Sequence, residues 1–286
     1  MKFVHPLLLS ALIALAACSP SQKKTNNYIL KFKGSESMHA AFDMLKNEFE
    51  RTQDSVKIII EGGGSRTGLM AIKEGKADVG LSSYRFNLDS ILGAEHGVTE
   101  HIVAYDGIVL ICNKENPVDK LTNDQIMWIF SGGVSDWSQL GGHPGRIVPV
   151  IRDQNSGTQK FFQSYFNIDK PNPLAIVSSE NKSIVSRVTE NQNGIGFIGF
   201  GYFTERIKSL DIPSNPKDDT TYASATFRNL GAGKYPLKRS LQMYYRDSQN
   251  PGLQAFLRYL ETPEAALLIK EQGLLPKKEK QSIALN

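Results

Sequence analysis

Three short stretches of this sequence are suited to holding a negative charge: "KGSESM" at 33–38, "GGGSRTG" at 62–68 and "RDQNSGT" at 152–158. In each, an apolar run stops, a turn of Gly, Ser or Thr follows, and a helical pattern begins. A helix N-terminus offers backbone N–H groups without intrahelical partners at the positive end of the macrodipole, so it attracts an anion without any lysine. Glycine lets the backbone approach a ligand closely, and Ser and Thr add hydroxyl donors. One such turn looks the same as an ordinary N-cap. Three at strand-to-helix junctions point to one anion site, because ligands of open α/β sheets gather beyond the carboxyl ends of parallel strands.

Other chemistries fit these residues less well. A Walker phosphate loop needs a lysine after its second glycine, and "GGGSRTG" has none. The same stretch does not keep the glycine spacing of a dinucleotide fingerprint. "NSGTQ" is not a nucleophile elbow, and His5, His39, His96, His101 and His143 show no metal-ligand spacing. His101 and Asp106 lie close in sequence, but a base and its orienter are recognised by geometry. Trp128, Trp137, Phe161 and Phe162 are explained more cheaply by packing than by stacking on a ligand, and Tyr84 and Arg85 stay outside the site. No metal or organic cofactor is called for.

The elements that must position the three turns follow from periodicity. "YILKFKG" reads as a strand, "MHAAFDMLKNEFERT" as a helix with Phe42, Leu45 and Phe49 on one face, and "VKIIIEGGG" as a second strand. "SRTGLMAIKEG" reads as a short helix and "ADVGLSS" as a third strand, giving a β-α-β-α-β order and a parallel sheet. The long apolar run "HIVAYDGIVLICN" suits a crossing between two lobes. A second set follows, with "TNDQIMWIFSG" and "SGTQKFFQSYF" as helices and "RIVPVIR" and "GIGFIGFGYF" as strands. "YPLKRSLQMYY" and "PGLQAFLRYLETPEAALLIKEQG" supply a strand and helices that return to the first lobe.

The chain has 286 residues, 40% hydrophobic and 22% charged, enough for two lobes of ordinary size. Lys2, the apolar "PLLLSALIALAA" and "LAAC" at 15–18 together resemble a bacterial lipoprotein signal, cleaved before Cys18 and diacylated on its sulfur. The apolar run is too short to span a bilayer. "SPSQKKTNN" then reads as a flexible tether. With Cys18 lipidated, Cys112 has no disulfide partner, and in "GIVLICN" it reads as a buried small hydrophobe. Removing Lys2 leaves 32 basic against 29 acidic side chains, dispersed along the chain, which argues against nucleic acid.

"IKEGKADVGLSS", "AYDGIVLICNKENPV", "LTNDQIMWIFSGGVSDWSQLGG", "IVPVIRDQNSGTQKFF" and "GIGFIGFGYF" together resemble the phosphate-binding substrate receptors of bacterial ABC importers, within the type II periplasmic binding-protein superfamily. The likeness runs from about Tyr28 to the C-terminal helices. It implies an α/β fold of two lobes, each a parallel or mixed sheet flanked by helices, with an oxyanion held in the cleft and no reaction performed on it. The expected organisation is a signal peptide at 1–17, a tether at 18–27, one lobe from 28–108 with 202–286, and the other from 109–201. The expected partners are inorganic phosphate, an ABC permease and the membrane that holds the lipid anchor, with the receptor itself extracytoplasmic and monomeric.

The resemblance also assigns the site. The family arginine falls on Arg152, and its Ser-Gly-Thr on Ser156, Gly157 and Thr158. Its serine in the second turn falls on Ser65, with Thr67 offering an N–H at the helix start. Arg66 is outside the usual pattern and is either an extra cation or a solvent-facing residue. In the first turn, Glu36 stands between Ser35 and Ser37 where many relatives have threonine. Ser83 stands where the best-described relatives place an aspartate. A carboxylate at such a site accepts the proton of monohydrogen phosphate and repels sulfate. Glu36 either takes over that acceptor role or is an ordinary first-turn acid facing solvent. The other functions open to this pattern are a receptor for sulfate or molybdate, a sensory or adhesive binding protein, and a phosphate-ester hydrolase.

Overall fold

Along "YILKFKG" the side chains of Leu30 and Phe32 turn inward and that of Lys31 outward, the period of two that a half-buried strand requires. In this computed structural model, which describes residues 28–246 and 249–277, that segment is β1 (Tyr28–Gly34). It is followed by α1 (His39–Thr52), β2 (Val56–Glu61), α2 (Ser65–Lys73), β3 (Val79–Ser82), α3 (Leu88–Leu92) and the 16-residue β4 (Val98–Asn113). Next come α4 (Asn123–Ser131), β5 (Val148–Arg152), α5 (Gly157–Tyr165), β6 (Ile176–Ser178), α6 (Asn181–Glu190), β7 (Gly194–Gly199) and β8 (Ile207–Ser209). The chain continues with a hairpin of β9 (Ile212–Asn215) and β10 (Asp218–Ala223), then α7 (Phe227–Gly231), β11 (Lys238–Arg246), α8 (Pro251–Leu260), α9 (Pro263–Glu271) and β12 (Leu275–Pro276). The signal peptide, the lipidated Cys18 and the tether expected at 1–27 lie outside the described residues.

Among the described residues, ten strands form one mixed sheet, ordered β2-β1-β3-β11-β4-β7-β5-β6, with β12 and β8 also paired to β4. β1 pairs in parallel with both β2 and β3, as the β-α-β-α-β reading requires. The run "HIVAYDGIVLICN" lies within β4, which joins the two halves as one unbroken strand. Residues 98–107 of β4 pair with β11, and residues 108–112 pair with β7.

Each half has its own apolar core. Under β1–β3 the Phe256 ring sits edge-on to Phe32 and Phe49, each centroid 5.2 Å away. In the other half Phe162 stacks on Phe197 at 3.8 Å, with Phe130 and Trp137 beside them. Trp137 and Phe162 therefore do pack in the core, whereas Trp128 is 43% exposed.

The end of β7 differs from expectation. The strand read through "GIGFIGFGYF" stops at Gly199 and passes into a 3₁₀ turn, Phe200–Tyr202. The reason is local: the Gly199 N–H is taken by Asn181 Oδ1, and the Phe200 N–H by Asp106 Oδ1, so the backbone leaves the ladder for side-chain acceptors. Leu210, Ile212, Leu230, Tyr235 and Leu237 pack with Phe130 and Phe197, and it is β11, further along, that pairs with β3.

Cys112 is fully buried in β4, and burial pushes its thiol up to about 12. In a Cys18→Ser variant at about pH 8, a disulfide reagent should leave Cys112 unmodified in the folded protein and titrate it in full once denaturant is added. Phe256→Ala removes a ring that bridges two others. Urea denaturation should register a loss of about 3–5 kcal/mol.

Candidate anion-binding site

The first turn begins at Gly34, whose φ is 141°, and a Cβ there would meet the Leu81 carbonyl oxygen at 2.2 Å. Only glycine lets β1 press this closely on β3, and the next residue, Ser35, donates its backbone N–H to the same oxygen at 2.9 Å. That contact carries the Ser35 side chain to Ser83 at the end of β3, with Oγ to Oγ at 2.9 Å. Ser65, the first residue of α2, reaches the same hydroxyl at 3.3 Å and accepts the Ser83 N–H at 3.0 Å. Three serines from three segments meet within the first half, each at most 3% exposed.

The other half closes on this cluster. α5 begins at Gly157, where a Cβ would meet Ser65 Oγ at 2.2 Å and Ser83 Oγ at 2.7 Å. The Thr158 hydroxyl pairs with Ser37 at 3.0 Å, and the Arg66 N–H at the start of α2 donates to the Asn155 carbonyl at 3.1 Å. Ser156 is turned differently: its Oγ accepts the Gln159 N–H and caps α5.

Counting hydrogens shows what the hydroxyls can do. Ser35, Ser65 and Ser83 have three hydroxyl hydrogens and use two in their mutual contacts. Thr158 Oγ1 accepts from Arg239 Nη1 at 2.8 Å, so one hydrogen suffices for its contact with Ser37. Donors are in surplus in both groups, the polarity an anion requires.

Two buried guanidiniums flank the hydroxyls. Arg152, at the end of β5 and 2% exposed, donates Nη1 to Glu36 Oε2 at 3.1 Å and Nη2 to the Ser179 carbonyl at 2.6 Å. Burial pushes its pKa down from the ordinary value, opposed by the Glu36 charge. Its Nε is buried and has no hydrogen-bond partner among the described residues. Arg239, on β11, grips Asp106 of β4 with Nε at 3.1 Å and Nη2 at 2.6 Å, and its Nη1 reaches toward the Ser83 carbonyl at 3.4 Å. Burial pushes the Asp106 carboxyl upward, while Arg239 holds it down.

Glu36 faces the cleft and not solvent: besides Arg152, its Oε2 accepts from the Asn181 N–H at 3.4 Å and from the Asn181 side-chain amide. The Tyr202 hydroxyl donates to the Glu36 carbonyl at 3.0 Å, and burial pushes that phenol up, so it stays a donor. Ser35, Glu36, Ser37, Ser65, Ser83, Arg152, Gly157 and Thr158 are thus gathered into one buried cluster. The Thr67 side chain is not among them. Its hydroxyl bonds back to the Gly63 carbonyl at 2.7 Å, and with the exposed Arg66 it lines an outer groove. On the other side, Ser37, Asp106, Lys182 and Tyr202 border a cavity between the halves.

Arg239, Asn181 and Tyr202 are the members that sequence reading did not supply, and Asp106 was seen without its partner. For Arg239 a signal existed. On an alternating strand it shares the inward phase with Leu241 and Met243, where a charge needs a reason.

A family model described as a PBP superfamily domain matches residues 19–264. Among curated relatives, the phosphate-binding protein PstS of Bacillus subtilis (strain 168) is 25% identical over 96% of this chain and 94% of its own length. That of Borreliella burgdorferi is 22% identical over 94% of this chain and 97% of its own. Among solved structures, a putative phosphate ABC transporter substrate-binding protein from Clostridium perfringens, with bound phosphate, superposes with a TM-score of 0.78 at 26% identity. It covers 87% of this chain and all of that one. An ABC-type phosphate transport receptor from Vibrio cholerae superposes with a TM-score of 0.72 at 26% identity, covering 86% and 99% of the two chains. The two-lobed α/β fold expected from the sequence is the fold these neighbours share.

Gly157 lies where the halves touch, so Gly157→Ala should hold them apart. Small-angle scattering should show a larger radius of gyration than wild type, with an unchanged circular dichroism spectrum.

Proposed function

Because the chain belongs to the PBP superfamily, we propose that its buried cluster of hydroxyls and guanidiniums seats inorganic phosphate, in an extracytoplasmic receptor that delivers the ion to an ABC permease. The observation that carries this reading is Arg152. A guanidinium 2% exposed, with a buried Nε–H lacking a partner among the described residues, is costly unless something it binds accepts that hydrogen. A tetrahedral oxyanion supplies several acceptors at once, and the surplus hydroxyl hydrogens and the α5 N-terminus meet its other oxygens. The PstS names of the relatives point to the same ion.

Glu36 supports phosphate over sulfate. Its carboxylate stands in the first donor turn against Arg152, and the cleft-facing position suits an acceptor for the proton that monohydrogen phosphate carries and sulfate lacks. Anchoring through Cys18 would keep the receptor beside its permease after removal of residues 1–17, with residues 18–27 as the tether. The two jaws are best divided where β4 changes partner: 28–107 with 238–277, and 108–237. Binding needs no cofactor and no second copy of the chain.

Titration calorimetry with phosphate, sulfate, molybdate and a phosphonate tests the reading, and an absence of phosphate binding would overturn it. Arg152→Ala should weaken phosphate by at least about 100-fold, since a buried charge-assisted contact is lost. Glu36→Gln should narrow the gap between phosphate and sulfate while leaving the fold intact.

A further inference from the structure

We infer that Asn181 is a specificity-determining positioning residue, holding Glu36 by one carboxylate oxygen so that the other is presented to the bound ion. This rests on the reading of Glu36 as acceptor of the ion's proton. Asn181 opens α6 and is fully buried. Its side-chain amide donates to Glu36 Oε2 and, at 3.4 Å, to Ser37 Oγ, and its backbone N–H also points to Oε2. With Arg152 Nη1, every hydrogen bond to the Glu36 carboxylate falls on Oε2, and none on Oε1, among the described residues. One oxygen is saturated with donors. The other keeps its lone pairs for a donor that arrives with the ligand.

The amide cannot serve equally well reversed. Its Oδ1 accepts the Gly199 N–H at 3.1 Å, so rotation by half a turn would set NH₂ against N–H and oxygen against Glu36 Oε2. Gly199 is itself held in place: a Cβ there would meet Asp106 Oδ2 at 3.0 Å. The end of β7 therefore orients Asn181, and Asn181 orients Glu36 across the boundary between the halves. A residue that only stabilised the start of α6 would not need its amide aimed at a carboxylate 145 positions away.

Asn181→Asp keeps the shape and the oxygen facing Gly199 while replacing the side-chain donor to Glu36 by a carboxylate oxygen. Calorimetry of phosphate and sulfate at about pH 8 compares wild type, N181D, E36Q and the double variant. The preference for phosphate over sulfate should fall at least about tenfold in N181D, as expected for one charge-assisted hydrogen bond. E36Q should fall likewise, and the double variant no further than either single one. A wild-type preference in N181D beside a relaxed E36Q overturns the inference and leaves the Glu36 reading standing. A wild-type preference in E36Q overturns that reading itself. Losses that add in the double variant also overturn the inference, because Asn181 would then act by a route other than Glu36. If N181D does not fold, Asn181→Ser, too short to reach Glu36, serves in the same comparison with the same outcomes.

Discussion

Removing a guanidinium from water costs several kcal/mol unless a carboxylate and further acceptors meet it, and this fold buries two where its halves join. Arg152 is matched by Glu36 and Arg239 by Asp106, pairs separated by 116 and 133 residues in sequence. Neither pair forms until distant segments are in place. The first requires the β1–α1 turn to face the end of β5, and the second requires β11 to lie beside β4 in the register that sets Arg239 opposite Asp106. The sheet order, the glycine contacts and the meeting of the helix starts are what bring those charges together.

With each of the two guanidiniums balanced by a carboxylate, the attraction proposed for a dianion does not rest on net charge at those pairs. It comes from oriented dipoles: hydroxyl hydrogens in surplus and the start of α5. Such donors act at hydrogen-bond range. They favour an ion whose size and oxygen geometry match theirs, and they do little for charges elsewhere in solution.

Much of this was legible in the sequence, and what was not has a physical cause. Glycine and hydroxyl residues at strand-to-helix junctions marked Ser35, Ser37, Ser65, Gly157 and Thr158, because the turns that hold an anion require those residue types locally. Thr67 shares the composition, yet the helical twist carries its side chain away and its hydroxyl returns to the Gly63 carbonyl. A motif records that a residue is in the turn, not the direction in which it points. Asn181 was hidden for the opposite reason: "SSENKS" has no glycine, Glu180 makes no side-chain cap, and the asparagine gains meaning only from Glu36 and Gly199. Arg239 and Asp106 likewise become a pair only through β-sheet register, which periodicity within one strand does not reveal. The packing of β8, β9 and α7 was not legible because they carry weak patterns of their own and take their place from the core they cover.

The continuity of β4 bears on how the molecule can move. A boundary made of a hydrogen-bonded ladder has no loose joint, so rotation of one half against the other must be absorbed as extra twist shared by many residues of β4 and its neighbours. Displacement then behaves like the torsion of a spring and not the swing of a door. The restoring torque is distributed along the backbone, and a change of side chain far from the cleft, but on that ladder, alters the stiffness with which the jaws meet.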